Sequence, residues 1–280
     1  MNVPQDEVRA YLRRVREISS RATDAAVAAL DRDRAGFERV VEAEPERARA
    51  ALAHLARKRL LASNTLRSAP RERGAWDAAN RWVHDELGRD GARRWSLSEL
   101  AHLNALVTDG AGVVRRGAVY SCGQEYLAAE HVLGELHALD QHVTASARPA
   151  SVIAATIYVS VVTIHPFENG NGRTARLAAD RVLLAAGYLP LCFLSPVASH
   201  VAQMRSGPRR DPERCVLRVL AAVAESYATA LGERQRASSD PASSASGSAT
   251  GTASRWSARR GSGAPPSTVG ASGSPSKSSA

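Results

Sequence analysis

Apolar residues recur at helical spacing through most of the chain. Val8, Leu12 and Val15 mark one stripe, and Val40, Leu52, Leu55 and Leu60 continue it on either side of Pro45. Residues 5–68 therefore read as two or three amphipathic helices with charged outer faces. Trp76, Val83 and Leu87 form a further pattern, followed by Leu97, Leu100, Leu103 and Leu106 with Ser96 placed as an N-cap. Asp109, Gly110 and Gly112 end that helix. From Val113 to Cys122 the chain is short, β-branched and bounded by glycines, which predicts a strand or hairpin. An isolated hairpin is marginal in water, so this one has to rest on a helical body. Helical spacing returns over 126–143 through Leu127, Val132, Leu133, Leu136 and Leu139.

The segment Pro149–Ile164 is different. Val152, Ile153, Ile157, Val159, Val161, Val162 and Ile164 surround the full circumference of a helix, which predicts a buried central element. Its β-branched content would suit a strand, but it is far longer than the roughly 5–6 residues of an average one. Pro149 is expected in its first turn. From Arg236 onward the chain turns to Ser, Ala, Gly and Pro, with only Trp256 and Val269 to bury, and is expected to be disordered. The organisation expected is thus a helical region over 1–70, a main domain over 71–235 and a tail over 236–280, with a soft boundary near residue 70.

Composition narrows the picture modestly. An apolar share of 44% supports a core, and 5% aromatics with abundant Ala and Arg favours helices. The formal charge of +9 leaves nucleic acid, phosphorylated ligands and acidic partners open and requires none of them. Cys122, Cys192 and Cys215 are widely spaced and odd in number, which indicates neither a disulfide framework nor a metal site and suits the reducing cytoplasm. Acidic residues near the start argue against a secretory signal, and no apolar run of about 20 residues is evident, so no membrane association is expected.

Candidate chemistry follows the central helix, in His165-Pro166-Phe167-Glu168-Asn169-Gly170-Asn171-Gly172-Arg173-Thr174-Ala175-Arg176. This is a loop opening a helix N-terminus. Gly170 and Gly172 allow positive φ and close approach of a phosphate, while main-chain N–H groups and the helix dipole attract an anion. Arg173 and Arg176 are three apart and are expected to reach the same anion. His165 supplies a group that titrates near neutrality. Pro166 stops the preceding helix and Phe167 anchors the loop in the core. A lone histidine, a Gly-Asn-Gly turn and two helical arginines are each usually structural; in this order they point together to phosphoryl or nucleotidyl transfer.

The same twelve residues resemble the signature of the Fic (Fido) family, His-Pro-Phe-x-(Asp/Glu)-Gly-Asn-Gly-Arg-x-x-Arg, at every defined position except Asn169. The resemblance extends over roughly residues 76–232. It implies a mainly α-helical fold with a short β-hairpin flap over the active loop, here Val113–Cys122, in which Val114, Val119 and Tyr120 dock a target protein by strand addition. It implies that His165 deprotonates a Ser, Thr or Tyr hydroxyl for attack on the α-phosphate of ATP, releasing pyrophosphate. Asn171 and the Gly172 backbone would hold the α-phosphate, with Gly170 in the same phosphate-binding loop, and Arg173 and Arg176 the outer ones. Asn169 stands where the family has its acidic ligand for Mg²⁺ (or Mn²⁺), which predicts a weakened metal site and leaves a domain of reduced activity as the alternative.

Relatives of the Doc type carry Lys at the position of Gly172 and transfer a phosphate, so Gly172 favours nucleotidyl transfer. AMP is the commonest group moved, with UMP and phosphocholine left open. The inhibitory segment of many relatives has no match, Ser121–Tyr126 coming nearest, so restraint is expected from a separate antitoxin-like chain if at all. The reading from another class is a basic nucleic-acid-binding module. It accounts for the charge but not for a histidine and two arginines on one loop.

Overall fold

The computed structural model describes residues 4–61, 70–90, 95–121, 124–193 and 211–237, and of 86–90, 120–121, 124–125 and 233–237 the backbone alone. All of these fall in one compact unit, Met1–Ser244. The tail expected to be disordered lies outside the described residues, apart from its first two, which finish the last helix.

Three helices open the chain: α1 (Gln5–Glu17), α2 (Arg21–Ala43) and α3 (Pro45–Leu61). Then come α4 (Pro70–Asp90), α5 (Leu97–Thr108), α6 (Ala129–Ala145), α7 (Ala150–Ile164), α8 (Asn171–Ala185) and α9 (Pro212–Ala237). Helix α5 starts as its sequence predicts. The Ser96 hydroxyl accepts from the Glu99 N–H and the Glu99 carboxylate accepts from the Ser96 N–H, a complete capping box. Pro149 sits one position before α7, at its N-cap, rather than in the first turn.

Helix α7 is the axis of the fold. Except for Ala150 and Ile153 its residues are all buried, as an all-round apolar helix requires. It pairs with α8. Helices α1, α2, α6 and α9 pack on α7, α3 lies on α2 and α9, and α4 and α5 cover α8. The first three helices are therefore part of the body that holds the motif. Polar ties reinforce this. Arg16 donates to Glu135 of α6 at 2.9 Å, Arg34 donates to the Ala186 carbonyl at 3.0 Å, and buried Arg59 of α3 pairs with buried Asp180 of α8. Asp180 also accepts from the Leu191 N–H at 2.7 Å.

Two expectations change. Helix α9 contains an apolar stretch, Pro212–Gly232, of mean hydropathy 1.4, long enough to span a membrane by length and composition; half of it is buried against the helices around α7. Scattered alanines rather than a run of large apolar residues conceal it in the sequence. The expected hairpin over Val113–Cys122 is also much reduced. The ladder is two residues long, β1 (Tyr120–Ser121) against β2 (Gln124–Glu125), with Tyr120 opposite Glu125. Val113–Val119 has no partner strand among the described residues. The Arg115 N–H donates instead to the Pro166 carbonyl at 2.9 Å, while the Val119 carbonyl accepts from Tyr126 at 3.2 Å and carries the hairpin one pair further.

Candidate active site

The motif occupies the turn between α7 and α8. His165 ends α7 in the left-handed region, φ 54° and ψ 60°, while its N–H still bonds to the Val161 carbonyl at 2.9 Å. Such a conformation is unfavourable for a residue with a Cβ and persists only where the surroundings fix it. Pro166 and Phe167 behind it are buried. The Tyr126 ring lies flat on the imidazole, centroids 3.7 Å apart and planes within 15°.

The loop is closed from inside by Asn171. The Phe167 N–H donates to Asn171 Oδ1 at 2.9 Å, and Asn171 Nδ2 donates back to the Phe167 carbonyl at 2.7 Å. This side chain is thus a brace, and what Asn171 offers a ligand is its main-chain N–H. A second brace comes from buried Asn104 of α5, whose Nδ2 donates to the Asn169 carbonyl at 2.9 Å and to Thr174 Oγ1 at 3.1 Å. Gly170 completes the turn with φ 77°, and a Cβ there would stand 2.5 Å from Thr108 Cγ2. Gly172 departs from expectation. It lies inside α8, its φ is not positive, and a Cβ would meet nothing within 4 Å.

Helix α8 begins with the Thr174 N–H bonding to the Gly170 carbonyl at 2.9 Å, and no side chain caps it. The N–H groups of its first turn have no intrahelical acceptor, and with the helix dipole they form a ready site for an anion.

The two arginines are differently placed. Arg173 is paired with Glu72 at the start of α4 and donates to the Val107 carbonyl at 2.8 Å. Arg176 is fully inside, its guanidinium 5.4 Å from the centre of the Trp76 ring, with Nε lacking a hydrogen-bond partner and no carboxylate paired with it among the described residues. Burial lowers the pKa of both, and their mutual repulsion lowers that of Arg173 further. Near Arg176, one carboxylate, Asp180, faces two guanidiniums, Arg59 and Arg176, and is committed to Arg59. The interior therefore carries a positive charge in want of an anion.

Glu168 and Asn169 are exposed at the mouth of the loop. They border a groove of about 500 Å³ whose other walls are Asn104, Thr108 and the extended segment Gly110–Arg116, including Val114. Among the described residues no cluster of His, Cys, Asp and Glu could hold a metal by itself. Asn169, exposed at the mouth of the loop, carries one amide oxygen of the kind a divalent cation accepts. Val119 is half-buried beside Tyr126, and Tyr120 is known by its backbone pairing in β1.

Several of these residues escape a reading of the sequence. Asn104, Arg115, Trp76, Glu72 and Tyr126 lie 39–93 positions before His165, on other elements. One signal was present: two adjacent arginines, Arg115 and Arg116, inside an otherwise apolar extended stretch, of which only Arg115 is buried.

Residues 94–183 match the Fic/DOC family, and that stretch is a Fic/DOC domain. A uridine 5'-monophosphate transferase of Xanthomonas campestris is 38% identical over 71 residues, 25% of this chain and 13% of that protein. The protein adenylyltransferase and cysteine protease IbpA of Histophilus somni is 28% identical over 113 residues, 40% of this chain and 3% of that protein. The chain thus matches only a small part of each. A Fic family protein from Desulfovibrio desulfuricans shares the fold, with TM-score 0.60 at 17% identity over 78% of this chain and 76% of that one.

Proposed function

We propose that the Fic/DOC domain is a protein nucleotidyltransferase that moves AMP from ATP to a Ser, Thr or Tyr hydroxyl of another protein. The observation that carries the reading is the pairing of His165, fixed in a left-handed turn, with an uncapped helix N-terminus and, on that helix, a buried Arg176 that has no carboxylate paired with it among the described residues.

In this mechanism His165 takes the proton of the acceptor hydroxyl as its oxygen attacks the α-phosphorus. The bond from that phosphorus to the bridging oxygen breaks, pyrophosphate leaves, and the proton passes from the imidazole to solvent. The first-turn N–H groups of Asn171, Gly172 and Arg173 hold the α-phosphate. Arg176 draws the outer phosphates, and Arg173 joins it when its pair with Glu72 opens. A divalent metal, when bound with the nucleotide at Asn169, neutralises phosphate charge. Catalysis of this kind is chiefly positioning and charge stabilisation.

Segment Val113–Tyr120 is the proposed docking edge for the target, with Val114 facing the groove and Val119 and Tyr120 continuing the strand direction. A separate inhibitory chain would act by offering Arg176 a carboxylate. UMP transfer is the second reading, favoured by the similarity to the Xanthomonas transferase. Incubation with a lysate and α-labelled ATP or UTP tests the proposal and selects the nucleotide. Protein labelling that needs His165 is expected; no labelling by either the native chain or Asn169→Asp would sink it.

A further inference from the structure

We propose that Arg115 is a positioning residue for His165, acting by clamping the Tyr126 ring against the imidazole. The inference rests on the reading of His165 as the base.

Arg115 is only 4% exposed and directs its whole fork at main-chain carbonyls. Nε donates to the His165 carbonyl at 2.7 Å and Nη2 to that of Ile164 at 3.3 Å. On the other side Nη2 also donates to the Leu127 carbonyl, and Nη1 to that of Gly117 at 2.7 Å. One guanidinium thus ties the end of α7, which carries His165, to the residue following Tyr126. The Arg115 N–H adds a bond to the Pro166 carbonyl at 2.9 Å.

The two segments joined in this way bear the two stacked rings, 3.7 Å apart. The stack covers one face of the imidazole and fixes its plane, and the clamp holds the left-handed backbone on which that plane depends. Only a planar fork can span these acceptors. A lysine ammonium, a single point with three donors, cannot reach both the His165 and the Leu127 carbonyls in the same directions. Arg115 touches no reacting atom in this scheme; it acts through Tyr126 and the His165 backbone.

The test uses the full chain and two readouts. The first is the NMR shift of the His165 ring protons, assigned by their loss in His165→Ala. Stacking under Tyr126 moves them upfield in the native protein, and in Arg115→Lys they are expected to move to where Tyr126→Leu places them. The second is steady-state transfer, in which kcat of Arg115→Lys falls by about tenfold to hundredfold, as for a displaced catalytic group, while nucleotide affinity is unchanged. A folded Arg115→Lys that keeps the native ring shift overturns the inference. Should Arg115→Lys not fold, Tyr126→Leu decides: a kcat loss with unchanged nucleotide affinity supports the clamp, and native kcat overturns it. The ring shift is read without nucleotide, so a chain that transfers nothing would defeat the proposed function while still deciding this inference.

Discussion

The guanidinium of Arg176 rests 5.4 Å from the centre of the Trp76 ring. A cation–π contact offsets part of the cost of burying a charge, but it does not replace an anion. The fold therefore holds this cation at some expense, which is the usual mark of a group kept for function.

Arg176→Met tests that view. Methionine keeps the contact with Trp76 and removes the charge, so stability is expected to hold or to rise by about 1 kcal/mol. Nucleotide affinity should fall at least about tenfold, the worth of one charge-assisted hydrogen bond. Urea unfolding and calorimetric titration with ATP measure the two. A variant that loses stability and keeps its affinity would make Arg176 a structural residue.

The two glycines of the motif should behave oppositely. Gly170→Ala forces a Cβ to within 2.5 Å of Thr108 at a φ of 77°, and should destabilise by about 1–3 kcal/mol. Gly172→Ala enters open space in a helix and should leave stability unchanged or raise it by up to about 1 kcal/mol. Thermal unfolding of the pair checks both, and equal losses would contradict the turn geometry.

Asn171→Ala removes both partners of the Phe167 peptide groups. The buried N–H and carbonyl left behind should cost about 1–3 kcal/mol each way the loop tries to keep its shape. The expected result is a lower denaturation midpoint together with a loss of transfer larger than the loss of nucleotide binding, because His165 sits at the other end of the same loop.

The pH dependence of stability has one identifiable contributor in His142, whose pKa is held below 6.5 by burial first and by Arg148 and Arg16 next. As pH falls through 6.5 the unfolded chain takes up the proton before the folded one does. Stability is thus present above that value and declines toward the folded pKa. His142→Gln should flatten that decline in urea midpoints taken across the range, and an unchanged slope would assign it to other groups.

Asn169→Asp places a charge where a metal bound with nucleotide would take its protein ligand. The metal concentration that gives half-maximal transfer should fall, with little change in stability because the site is exposed. An unchanged metal requirement would show that Asn169 is no ligand.

Periodicity made the helices legible, because burial on one face or all round leaves a pattern with the period of the helix. Val152–Ile164 is the clear case. The motif loop was legible for a different reason, since glycine, proline and a titratable residue in close succession have few other uses. What stayed hidden was set by tertiary contact. Arg115 reads as one more arginine in an Arg-rich chain until the carbonyls of Ile164, His165 and Leu127 are brought around it. The predicted hairpin is short for the same reason, because the main chain of Arg115 bonds to the motif loop, and pairing is confined to Tyr120–Ser121 against Gln124–Glu125 with the Val119–Tyr126 bond beside it. Local β-propensity cannot foresee that competition.

The central claim is that His165 drives transfer of the nucleotide itself. It is tested most directly by giving the native chain and His165→Ala ATP labelled at either the α- or the γ-phosphate, in the presence of acceptor proteins and Mg²⁺. The account predicts protein-bound label from the α position alone, and none with His165→Ala. Label from the γ position, or α-label that survives in His165→Ala, would contradict it.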